Sequence, residues 1–148
     1  MAGTFFKAVT AEIATGTSAK TLLQIVAAAN HGALIKELSI SFKGVSNTAA
    51  PIKVDILRQT TAGTMTGLTP VKDPDDADET LQTTAQHTAT AEPTASDVLM
   101  SELVHPQTGY TWQAPFGQAI KIGGGDRLGI RVTAGADVNA ICRVVGEE

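Results

Sequence analysis

The chain has little of most things that carry chemistry. One cysteine, Cys142, in 148 residues excludes an intrachain disulfide framework and any cysteine-rich zinc site. It fits manufacture in a reducing compartment. Aromatic residues are scarce, with four Phe, one Tyr and one Trp. Long apolar runs are missing too. The longest, Ile25 to Ala29, is five residues, against the ~20 needed to span a bilayer. The first twenty residues never reach the apolar stretch of about 7 residues that marks a secretory leader. The expectation is therefore a chain with no membrane partner, not exported by the general route.

Charge is also sparse, at 18% of residues and a formal net of −4. Residues 71–80 hold five acids (Asp73, Asp75, Asp76, Asp78 and Glu79) against Lys72, and so account for the whole −4. The remaining residues balance at ten acids and ten bases. A neutral body of this kind excludes a basic nucleic-acid-binding surface as the main function. A hydrophobic content of 43% excludes an acidic disordered protein, since it can supply a core. The length is that of a single domain, residues 1–148.

What is abundant is Ala and Thr, 22 and 20 residues. Thr favours pleated surfaces and Ala favours helix, so periodicity has to arbitrate. Period-two alternation recurs along the chain and indicates strands. Phe5, Lys7, Val9, Ala11 and Ile13 alternate with Phe6, Ala8, Thr10 and Glu12, giving a first strand with a mixed face. Leu38, Ile40 and Phe42 alternate with polar residues up to Gly44. Ile52, Val54 and Ile56 do the same after Pro51, and so do Leu128, Ile130 and Val132. Val138 to Val145 is apolar on both faces apart from Asn139 and Arg143, which places it centrally or in an interface. Lys20 to Asn30 fits either a helical stripe or a strand; strand is preferred because its neighbours are strands. Val98–Val104 and Tyr110–Phe116 read as a hairpin across His105–Gly109.

Residues 61–97 are Thr, Ala, Gln, Asp and Pro with almost no large apolar side chain. A loop of that length inside a compact domain is uncommon and implies a function or a partner. It reads as a long polar loop or arm ordering against a neighbouring subunit, with Thr80–Thr90 as a candidate edge strand. About eight short strands punctuated by Gly and Pro point to an all-β, jelly-roll-like β-sandwich.

No reaction chemistry stands out. Gly123-Gly124-Gly125-Asp126-Arg127-Leu128 lacks the third glycine of a dinucleotide loop and leads into a strand instead of a helix. In the acidic run, Asp78 stands where an EF-hand needs glycine and Thr84 where it needs glutamate. That run, Asp73, Asp75, Asp76, Asp78 and Glu79, is a solvated acidic loop or a docking loop for a basic patch. His31, His87 and His105 show no metal-ligand spacing. Cys142 sits with Val138, Ala140 and Val144 on the inward register of the last strand, as a small buried hydrophobe. Glu37, Asp55 and Glu102 are the carboxylates that convergence in space could make into a glycosidase pair. We expect no enzyme, no cofactor and no metal. Phe5, Phe6, Tyr110 and Trp112 are candidates for a subunit or capsid interface, with core anchoring as the alternative, because Trp and Tyr are enriched at interfaces.

Leu57-Arg58-Gln59-Thr60-Thr61-Ala62-Gly63-Thr64-Met65, Leu68-Thr69-Pro70-Val71-Lys72, Glu79-Thr80-Leu81-Gln82-Thr83-Thr84-Ala85 and Ala91-Glu92-Pro93-Thr94 resemble stretches of small proteins encoded among tailed-bacteriophage head genes. His105-Pro106-Gln107-Thr108-Gly109 and Gly124 to Val132 continue the resemblance, which covers roughly residues 20–148. It implies a capsid decoration, or cement, protein. Such proteins have jelly-roll or related folds, oligomerise (often as trimers) and clamp neighbouring capsomers. The partner implied is the major capsid protein, the location the virion exterior, and the site of assembly the host bacterial cytoplasm. A phage tail or baseplate component and a jelly-roll carbohydrate-binding attachment module are the alternatives.

Overall fold

The computed structural model describes residues 3–43, 50–73 and 79–148. Thirteen strands and no helix are found there. In chain order they are β1 (Phe5–Val9), β2 (Ile13–Ala14), β3 (Lys20–Val26), β4 (Ala33–Phe42), β5 (Ile52–Gln59), β6 (Thr64–Leu68) and β7 (Val71–Asp73). They continue as β8 (Thr84–Ala91), β9 (Ala95–Val104), β10 (Tyr110–Gln113), β11 (Ile120–Ile122), β12 (Arg127–Thr133) and β13 (Asn139–Glu147). The count exceeds the expected eight because β2, β6, β7 and β11 are only two to five residues long.

The strands form two antiparallel sheets packed as a β-sandwich. One has the order β10-β4-β13-β1-β7, with β11 also on β4 and β2 on β13. The other runs β6-β8-β3-β12-β5-β9. Alternation places the core between them. Phe6 and Ala8 of β1, Ile35, Leu38 and Ile40 of β4, and Cys142 and Val144 of β13 face Leu23 and Ile25, Val54 and Ile56, and Leu128, Ile130 and Val132 from the opposite sheet. β13 lies between β4 and β1, which explains its apolar character: it is a central strand. Lys20 to Val26 is strand β3, paired on both sides by β8 and β12, so the sheet resolves the helix alternative.

Two expectations are corrected. Val98–Val104 and Tyr110–Gln113 are not a hairpin, since β9 pairs with β5 and β10 with β4 in the other sheet. The His105–Gly109 turn therefore crosses the sandwich. Its end is tight: Gly109 has φ of +67°, and a Cβ there would lie 2.7 Å from the Ile40 carbonyl oxygen.

The 61–97 stretch, in its described residues, is not a free arm. It contributes β6, β7, β8 and the start of β9, and β8 is an internal strand between β6 and β3 rather than an edge. Ala85, Leu68 and Leu81 give this Thr- and Gln-rich stretch a little apolar packing on the core, and hydrogen bonds add to it. The Glu92 carboxylate accepts from the Thr21 backbone N–H at 2.6 Å and its hydroxyl at 2.7 Å. Gln24 Nε2 donates to Gln59 Oε1 at 2.7 Å and to the Thr61 carbonyl at 3.2 Å. Gln59 Nε2 donates in turn to the Thr21 hydroxyl at 2.8 Å. Thr21, Gln24 and Gln59 are buried, so every one of these bonds offsets a desolvation cost.

Candidate functional site

The sandwich has edges of very unequal size. β6, β7, β10 and β11 are three to five residues long, short enough to offer little to another chain. β9 is ten residues long and, among the described residues, pairs on one side only, with β5. It is also exposed on both faces, with only Val104 buried and Met100 half-buried. Val98, Leu99 and Leu103 are 49%, 37% and 74% exposed.

The register with β5 assigns the faces. Leu103, Ser101 and Val98 lie opposite Lys53, Asp55 and Leu57, on the outer side. Val104, Glu102 and Met100 lie opposite Ile52, Val54 and Ile56, on the side of the core. The register shifts between Ile56 and Leu57, so the regular part of the edge is Met100–Val104. Asp55 anchors this region from beneath, accepting from Ser101 Oγ at 2.7 Å and Arg131 Nη2 at 3.0 Å.

The flank extends onto the other sheet. The 105–109 turn carries the chain from β9 to β10, and Arg58 of β5 donates to the Lys121 carbonyl of β11 at 3.3 Å. Between β10 and β11 a turn closed by the Gln118 N–H on the Pro115 carbonyl leaves Phe116 fully exposed. Phe116, Leu34, Pro115 and the two lysines Lys36 and Lys121 border a groove of about 330 Å³. Burying a side chain such as Leu103 or Phe116 contributes about 1.5–3 kcal/mol each.

The aromatic candidates divide. Phe5 points outward, with Lys36 Nζ 5.0 Å from its ring centre. Phe6 is wholly buried and is not an interface residue, because the alternation of β1 turns it inward with Ala8. Its ring fills the space over Gly146, where a Cβ would sit 2.6 Å from Phe6 Cζ. Tyr110 and Trp112 share one face of β10 as half-buried residues packed on the core. Burial, and then the charge of Glu102, raise the Tyr110 hydroxyl above its usual value. Of the acidic candidates, Asp73 pairs with Lys7 at 2.6 Å, and Glu79 is exposed, its carbonyl accepting from Lys72 at 3.0 Å. Asp75, Asp76 and Asp78 lie outside the described residues.

The carboxylates do not assemble a catalytic pair. Glu37 is bonded to Arg143 on one sheet, Asp55 to Arg131 on the other, and Glu102 lies on the opposite face of β9 from Ser101, the residue across from Asp55. Burial pushes the Cys142 thiol up to about 12, which leaves it no thiolate for nucleophilic work. No cluster of three or more metal-ligating side chains occurs among the described residues. No helix in them is long and apolar enough to cross a membrane.

The strand β9 itself was legible in the sequence as Val98–Val104; its exposure was not, because that follows from its place at the end of the strand order. No family model, curated protein or solved structure matches the chain. Fold and surface together define an all-β sandwich with, among the described residues, one long, apolar edge strand paired on one side only.

Proposed function

We propose that this chain is a structural virion protein that attaches to the outer surface of a bacteriophage capsid and clamps neighbouring capsomers. The observation that carries the reading is the β9 flank: a ten-residue edge strand with apolar side chains on its exposed surface, continued by Phe116. The resemblance to phage head proteins supplies the partner, the major capsid protein. A jelly-roll winding of the sandwich and a homotrimer belong to the same proposal. Three joined copies raise the effective concentration of each contact, so modest binding per protomer adds up to firm attachment. Binding to the assembled shell but not to free subunits stabilises the shell by mass action.

The test is to add purified protein to expanded, undecorated capsids and image them. Ordered density at high, symmetry-fixed copy number is expected. A bare shell sinks the reading. Density at a single site per particle would make the chain a tail or baseplate component, and binding of isolated protein to a glycan array would make it a carbohydrate module.

A further inference from the structure

Among the described residues the backbone of β9 is bonded on one side only, to β5, and its charges are as unclaimed as its edge. The carboxylates of Glu12, Glu37, Asp55, Asp73 and Glu147 are each paired with a Lys or Arg. Those of Glu92, Asp137 and Glu148 accept backbone N–H groups instead, and Asp126 has no ion pair among the described residues. Asp97 and Glu102, the only charged residues of β9, have no ion-pair partner among the described residues. Along the regular edge Leu103 is presented on the outer face, and Glu102 stands on the other as a single acid between Met100 and Val104.

We infer that the free edge of β9 accepts an extended segment of another polypeptide as an added strand, and that this segment carries a Lys or Arg flanked by apolar residues. Main-chain bonds along the edge give affinity in such strand addition, and alternate side chains give specificity. An apolar residue of the added strand meets Leu103, and a basic residue beside it meets Glu102. A second copy of β9 fits poorly. Symmetrical antiparallel pairing about the middle of the strand sets Asp97 of one copy across from Glu102 of the other, and like charges directly opposite are destabilising. The inference goes beyond capsid attachment, since it holds whatever protein donates the strand.

The experiment uses the full chain and a labelled ten-residue peptide of alternating Val and Lys. Fluorescence anisotropy measures binding, and hydrogen exchange maps it. The expected result is saturable binding that weakens with salt and slows exchange of those Met100–Val104 amides that face away from β5. A Val–Glu peptide and a Val–Lys peptide N-methylated at alternate residues should not bind. The double variant Asp97→Lys, Glu102→Lys, both exposed positions, should weaken binding about tenfold or more with an unchanged melting temperature. No binding, equal binding of the N-methylated peptide, or binding without protection of β9 overturns the inference. So does a free protein that is already protected at those amides and dimerises with concentration, because a second copy then occupies the edge. Capsids that are decorated while β9 stays unprotected would leave the capsid reading standing and this inference refuted.

Discussion

Two regions of this molecule invert the usual placement of polar and apolar residues. Beneath the crossing segments near Thr61 and Glu92, the side chains of Thr21, Gln24 and Gln59 are buried. On β9, Val98, Leu99 and Leu103 are exposed. The buried polar group has spent its hydrogen bonds inside the chain, so it contributes to folding and has nothing to offer outside. The exposed apolar strand has spent almost nothing, and its surface remains available for a partner. Removing a residue from the first should damage stability, and removing one from the second should damage attachment.

The largest stability effect is expected at Gln24. Gln24→Leu leaves Gln59 Oε1 and the Thr61 carbonyl without that donor and should cost ~2–3 kcal/mol in urea unfolding. Adding Gln59→Leu should recover part of the loss, because replacing both partners is cheaper than orphaning one. A double variant that loses the sum of the two singles would break the network account. Next is Gly146→Ala, which drives a methyl against the Phe6 ring and the Leu34 carbonyl; a loss of about 1–3 kcal/mol is expected.

A smaller, pH-dependent effect belongs to Glu147. Its hydrogen bond to Lys36 holds the carboxyl below its ordinary 4.5, against the opposing effect of burial. A depressed folded-state pKa gives stability that is present above the unfolded value and lost as pH falls through the folded one. Melting temperature should therefore drop on acidification below about pH 4.5, and Lys36→Met should flatten that part of the profile. An unchanged profile would remove the pair from the account. The smallest stability effect is expected at Leu103→Ser, within about 0.5 kcal/mol of the unaltered protein, although capsid attachment should weaken. A larger destabilisation would mean that β9 is part of the core after all.

Much of the sandwich was legible because burial on one face leaves a period of two. Leu38 and Ile40, Leu128 to Val132, and the inward register of Cys142 all follow it. Residues 61–97 were opaque because what packs them is remote: Thr21 is 71 residues from its partner Glu92 and Gln24 is 37 from Thr61, and hydrogen bonds between distant polar residues leave no local pattern. The 105–109 turn looked like a hairpin because a tight turn has the same local chemistry whether it joins neighbours in one sheet or crosses to another. The candidate site was the least legible. Phe5 and Phe6 are distinguished only by which one shares parity with Ala8. An apolar strand such as β9 has the same sequence at an edge as at a centre, and the order of strands, set by the whole chain, makes it a surface.

The most direct test is hydrogen exchange of the β9 amides in the free protein and in protein bound to capsids. The account predicts, for the Met100–Val104 amides that face away from β5, fast exchange when free and slow exchange when bound, with Gln24 and Gln59 slow in both states. Protection of those amides in the free protein, or no change on binding, would contradict it.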